Sequence, residues 1–309
     1  MSDPARRRSL PPGGTTALRP MRDGWRLRSI AWPGRRSPNR VGSILFIGGR
    51  GDFVEKYAES LWHWHDRGFG LAAFDWRGQG LSGRLGDTPD KGHSTGFDVL
   101  VRDLAEQVAW FRECLPPPYF AVAHSMGGHL LLRHLARAPG SIDRGVLLAP
   151  LLGLLALPVG PWLARRIARV QVARGKAGAY APGAGPAQTG NRIRGGRLSS
   201  DPDRVADEAW WVGQNPGLGI GGVTNGWLAA AFASLDALTA PGALEAVTTP
   251  LLILTAANDR LVDSAATARL ARRLAHARVE NIVGAAHELL READRFRAPV
   301  LARIDGFLA

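Results

Sequence analysis

Ser125, Asp259 and His287 are the residues whose types and spacing could do chemistry together. A serine hydroxyl is a weak nucleophile until a base takes its proton. A histidine serves as that base when a carboxylate holds its tautomer and steadies its cation. Ser125 stands between the strand-like "YFAVAH" and the helix-like "MGGHLLLRHLAR", with Gly127 two positions on, Gly128 next to it and Ala123 two positions back. Small neighbours let the chain turn sharply enough to push a serine out of a sheet edge. Ala123 replaces the first glycine of G-x-S-x-G with only a methyl group, so the steric requirement is still met. The plainer reading makes Ser125 a helix cap, serine being a favoured N-cap.

The acid is expected after a late strand, and "TAANDRLVD" offers Asp259 and Asp263. Asp259 is nearer the strand end and is preferred; Asp263 suits the N-cap of the helix "SAATARLARRLA". His287, in "VGAAHELLRE", follows the last strand, giving the chain order serine, acid, histidine. A developing oxyanion needs two fixed donors. The main-chain N–H of Met126 supplies one, and that of Arg50, in "IGGRGDF" after an early strand, supplies the other. Gly49 and His124 are expected to line the same site. His63 and His65, two apart in a helical run, point to different faces and make a poor metal pair. No metal or organic cofactor is expected.

These residues need a scaffold that brings strand ends together. Continuous apolar runs such as "SILFI", "LAAF", "YFAVAH", "GVLL" and "LLILTA" read as buried parallel strands. "FVEKYAESLWHWHD", "FDVLVRDLAEQVAWFREC" and "EADRFRAPVLARIDGFLA" have helical spacing. The alternation implies an α/β chain with a mainly parallel sheet covered on both faces. Its functional loops lie at the carboxyl ends of the strands. The pattern breaks between about 151 and 240, where Gly/Ala/Pro-rich irregular sequence is mixed with short helical runs such as "PDRVADEAWW" and "TNGWLAAAFASLDAL". The expected organisation is a disordered tail over 1–20, a catalytic domain over 21–150 and 241–309, and an inserted lid over 151–240.

The chain of 309 residues carries a formal charge of +12, which invites a nucleic-acid or anionic-membrane partner. Lysine occurs only at Lys56, Lys91 and Lys176, so the charge is an arginine bias accompanied by abundant Ala and Gly. No nucleic-acid motif accompanies it, and nucleic acid is not an expected partner. Cys114 is the single cysteine, which excludes internal disulfides and favours a reducing, cytoplasmic setting. "LLGLLALPVGPWL" is too short to span a bilayer.

The motifs together resemble the α/β-hydrolase superfamily, and within it the monoacylglycerol lipase and bacterial lysophospholipase group, also filed under the serine aminopeptidase name. "GGRGDFVEKYAE" is similar to that group's oxyanion loop, "FDWRGQGLSGR" to its D-x-R-G-x-G-x-S loop, "AHSMGG" to its nucleophile segment, "NDRLVD" to its acid segment and "HELLRE" to its histidine segment. The likeness runs from about Trp25 to Leu308. It departs at Gly48, where the group has histidine, and in the lid, where only "SSDPDR" and "TNGWLAA" match. The resemblance implies hydrolysis of a lysophospholipid or monoacylglycerol. The alternatives are a small-ester carboxylesterase or peptidase with the same residues, or a hydrolase-fold binding protein without activity. An apolar stretch followed by "ARRIARVQVARGK" adds the expectation of peripheral contact with an anionic membrane through the lid.

Overall fold

A computed structural model describes residues 3–34, 41–86, 90–156, 158–186 and 198–309. Eight strands form one sheet in the order β1-β2-β4-β3-β5-β6-β7-β8. They are β1 (Thr15–Pro20), β2 (Arg26–Trp32), β3 (Ser43–Ile47), β4 (Gly70–Phe74), β5 (Tyr119–His124), β6 (Arg144–Leu148), β7 (Leu251–Ala256) and β8 (Ala277–Ile282). The β1/β2 and β2/β4 pairs are antiparallel and all the others parallel. The expected mainly parallel sheet is therefore present.

Successive strand residues point to opposite faces, and the core divides accordingly. Leu45, Ile47, Ala121, Ala123, Leu147 and Ile253 pack on one side with Leu100, Leu104 and Phe111 of helix α3 (Phe97–Cys114) and Leu130 to Leu132 of α4 (Met126–Leu135). Ile44, Phe46, Phe120, Val122, Leu148 and Leu254 pack on the other with Leu61 and Trp64 of α2 (Ala58–Asp66) and Val300, Leu301 and Ile304 of the C-terminal helix Asp294–Leu308. Burial on both faces explains why these strands read as unbroken apolar runs.

From Asp3 onward the structure departs from the expected disordered tail over 1–20, whose first two residues lie outside the described ones. Asp3 caps a short helix α1 (Pro4–Arg7), and Thr15–Pro20 pairs along β2 as the edge strand β1. Tryptophan indoles anchor the segment between them: Trp62 Nε1 donates to the Ser9 carbonyl at 2.9 Å and Trp32 Nε1 to that of Pro11 at 2.8 Å. These partners are distant in sequence, so local composition cannot reveal them.

The region 151–240 contains helices α5 (Pro161–Ala173), α6 (Pro202–Gln214) and α7 (Asn225–Thr239). The last two coincide with the expected helical runs; α5 was not foreseen. Pro161 occupies its first turn, where a missing N–H costs nothing. The apolar run before it divides: Leu151 and Leu152 are buried in the core, whereas Trp162 on α5 is 73% exposed. Residues 187–197 of the irregular Gly/Ala/Pro segment lie outside the described residues. Helix α8 (Ser264–Ala271) and α9 (Asp294–Leu308) complete the chain. No helix among the described residues is long and apolar enough to cross a membrane.

Candidate active site

Strand β5 ends at His124, and Ser125 turns the chain into α4 with φ 50° and ψ −115°. A positive φ is uncommon for a non-glycine residue and costs energy that the surroundings must hold. They do so through the backbone: Ser125 N–H donates to the Leu148 carbonyl of the neighbouring strand at 2.9 Å, and the Ser125 carbonyl accepts from Leu151 at 3.0 Å. The Ser125 hydroxyl makes no capping hydrogen bond to α4, so the side chain does not serve as a helix cap. Gly127 is required for close approach. A Cβ there would lie 2.5 Å from the Gly48 carbonyl oxygen and 2.6 Å from that of Ile47. Ala123, fully buried opposite Ile47, fits without a glycine.

The loops after β7 and β8 bring Asp259 and His287 together. His287 Nδ1 lies 2.6 Å from Asp259 Oδ2, while Asp259 Oδ1 accepts from the amides of Leu261 and Val262 at 2.8 and 2.9 Å. Burial opposes charge on the Asp259 carboxyl, but the His287 contact and these amides outweigh it and hold its pKa below the usual value. Asp263 caps α8, accepting from Ala266 N–H at 2.9 Å. The His287 ring packs against His124, with centroids 4.8 Å apart, which sets the histidine beside the Ser125 turn. Ser125 is 8% exposed and His287 2%.

Gly49 packs onto the turn: a Cβ there would come within 3.0 Å of both Ser125 Cβ and His124 Nδ1. Arg50 and Met126, whose amides are the expected oxyanion donors, line one small cavity together with His93, Ile220 and Trp227. His124 is buried, its Nδ1 2.9 Å from both Asp52 Oδ2 and the Tyr57 hydroxyl. The other nitrogen, Nε2, has no hydrogen-bond partner among the described residues. His63 contacts Asp305 at 2.9 Å, away from the site.

Sequence reasoning missed a buried charged cluster behind these residues. Asp52 Oδ2 accepts from the Gly49 amide at 2.6 Å and from the Tyr57 hydroxyl at 2.9 Å. The Lys56 ammonium, with a fully buried side chain, sits 2.8 Å from Asp52, 2.5 Å from Glu288 and 3.1 Å from Glu208 of α6. Arg291 bonds both Glu208 and Glu288. Burial works against the charges on Asp52, Glu288, Lys56 and Arg291, yet opposite neighbours win: Asp52 lies well below its ordinary pKa, Glu288 falls to about 2, and Lys56 and Arg291 are raised. In the sequence Asp52 and Lys56 stand four apart in the segment after β3 and Glu288 directly follows His287, spacings that do not by themselves show shared burial. Through the Gly49 amide, Asp52 fastens the loop after β3.

The family model described as serine aminopeptidase, S33, matches residues 38–294. Lysophospholipase L2 of Escherichia coli is 37% identical over 127 residues, which cover 40% of this chain and 36% of that protein. The aligned stretch is thus little more than a third of that relative's length. Probable lysophospholipase L2 of Haemophilus influenzae is 28% identical over 271 residues, covering 86% of this chain and 83% of that protein. Among solved structures, a soluble variant of monoglyceride lipase from Saccharomyces cerevisiae in complex with a substrate analog superposes with a TM-score of 0.76 at 18% identity, covering 98% of this chain and 97% of the other. The Paleococcus ferrophilus monoacylglycerol lipase gives 0.70 at 21%, covering 91% and 98%. At these identities the two structures speak for the fold.

Proposed function

Since the chain belongs to the serine aminopeptidase S33 family and has the α/β-hydrolase fold, we propose that it is a serine hydrolase cleaving the carboxylic ester of a monoacyl lipid, a lysophospholipid or a monoacylglycerol. The observations that support the reading are the positive-φ Ser125 turn, the His287–Asp259 pair, and the His124 ring next to Ser125 that packs on His287. Ser125 Oγ attacks the ester carbonyl and His287 Nε2 takes its proton. Asp259 holds Nδ1–H and balances the imidazolium. The N–H groups of Arg50 and Met126 receive the oxyanion. His287 then protonates the leaving alcohol, and water enters by the reverse sequence to release the acid from Ser125.

The choice of a monoacyl lipid rests on the printed names of the lysophospholipase and monoglyceride lipase relatives. The insertion 151–240 is the lid of this reading. Helix α5 supports contact with an anionic membrane surface, because Trp162, Leu163, Val170 and Val172 are exposed on a helix that also carries Arg165, Arg166 and Arg169. Such contact would be peripheral and made from the cytoplasmic side.

A fluorophosphonate probe and an ester panel test the reading. The wild type should label and should prefer lysophospholipid or monoacylglycerol over diacyl lipids, p-nitrophenyl acetate and an aminoacyl p-nitroanilide. Ser125→Ala should not label, and its turnover should fall on the order of a million-fold. An unlabelled wild type would leave a hydrolase-fold binding protein. A preference for the anilide would make the enzyme a peptidase.

A further inference from the structure

We propose that Lys56 is a positioning residue whose buried ammonium joins the oxyanion loop, the histidine loop and lid helix α6, so that catalytic register depends on all three being seated together. The inference rests on the serine hydrolase reading above. Lys56 Nζ reaches one carboxylate from each segment: Asp52 at 2.8 Å, Glu288 at 2.5 Å and Glu208 at 3.1 Å. Asp52 and Glu288 are each one step from the reacting groups, and Glu208 ties them to the lid helix. Asp52 holds the Gly49 amide with its second oxygen. Gly49 packs on Ser125 and precedes Arg50, the expected donor. Glu288 directly follows His287, and its own N–H donates to the carbonyl of Leu198, in the segment leading to α6, at 2.8 Å.

The charges make the arrangement collective. Two buried carboxylates, Asp52 and Glu288, and the half-buried Glu208 meet two cations, Lys56 and Arg291, and Arg291 pairs with Glu208 and Glu288. Without Lys56, Asp52 would keep only Tyr57, His124 and the Gly49 amide, and Glu288 would face Asp52 with no cation between them. In a buried setting such repulsion is relieved by moving the loops or by taking up protons. Loop movement shifts Gly49, and with it the Arg50 amide, relative to Ser125, and a proton on Asp52 weakens its hold on the Gly49 amide. A displacement of about 1 Å at a catalytic group is enough to cost about a hundred-fold in rate. Substrate contacts are not altered, so the loss belongs in kcat.

Lys56→Met, Lys56→Arg and Glu208→Gln should be compared with wild type for kcat and KM on p-nitrophenyl butyrate, with thermal unfolding and fluorophosphonate labelling measured in parallel. The proposal expects kcat to fall at least about tenfold in Lys56→Met with KM within about twofold. Lys56→Arg should recover part of the loss. Glu208→Gln should show a smaller kcat loss, since it cuts only the link to the lid. If Lys56→Met does not fold, Lys56→Arg and Glu208→Gln carry the same kcat test. Variants that lose thermal stability but keep wild-type kcat would make Lys56 purely structural and overturn the proposal, as would a rise in KM at unchanged kcat. Failure of the wild type to label would instead sink the serine hydrolase reading beneath it.

Discussion

His287 Nδ1 lies 2.6 Å from Asp259 Oδ2, although the two residues are 28 positions apart on the loops after β7 and β8. Asp263, four positions after Asp259 on the same loop, spends its carboxylate on the Ala266 amide at the start of α8. Two aspartates in one short loop thus have separate tasks. Asp259→Asn should lower kcat on the order of a thousand- to ten-thousand-fold, because an amide favours the wrong histidine tautomer. Asp263→Asn keeps a capping side chain and should cost little in rate or stability. Steady-state kinetics on a single ester decide it, and a slower Asp263 variant would reverse the assignment.

Gly127→Ala should destabilise the fold even though alanine is the better helix former. The added methyl would meet two backbone oxygens at 2.5 and 2.6 Å, and neither can rotate away. The expected loss is about 1–3 kcal/mol, the usual cost of overpacking a filled core. Denaturant unfolding with unchanged m-value measures it. A variant as stable as wild type would mean that the β3 end yields more than its packing suggests.

Exposed Trp162 and the arginines of α5 predict stronger binding to anionic than to neutral vesicles. The difference should shrink with salt, since the screening length falls from about 10 Å at 0.1 M to about 3 Å at 1 M. Sedimentation of Ser125→Ala with each vesicle type tests this without digestion of the lipid. Trp162→Ala should weaken binding to both, because it removes apolar contact and leaves the charge. Equal or absent binding would make the lid a cover for soluble substrates.

Stability should fall between about pH 6.5 and pH 3 through two buried histidines. Burial lowers His129 to about 3 and His134 to about 4. The unfolded chain takes up protons near pH 6.5 and the folded one only near those lower values. Stability from this source is therefore complete above about pH 6.5 and is lost as pH falls toward the folded values. His134→Gln, which can keep a bond to Ser141, should flatten part of that slope in denaturant unfolding. An unchanged slope would assign the acid lability to other groups.

Much of the candidate site was legible in the chain because it is written locally. Strands buried on both faces must be unbroken apolar runs. A sharp strand-to-helix turn must have small residues around Ser125, and a capping aspartate must directly precede its helix, as Asp263 does. The positions of Ser125, Asp259 and His287 in separate loops follow from those rules and from chain order. The sequence favoured Asp259 over Asp263 by its place at the strand end and by the capping position of the latter, but the contact with the histidine depends on how the loops after β7 and β8 lie side by side. Nor could it disclose the folded amino terminus, whose order comes from indoles of Trp32 and Trp62 reaching back to carbonyls tens of residues away. The same holds for Lys56. Beside Asp52 it reads as an ordinary surface pair at helical spacing, and only the tertiary structure brings Glu208 and Glu288 to it. The reason is physical: apolar burial and turn sterics act on neighbouring residues, whereas a buried charge is tolerable only where distant segments converge to neutralise it.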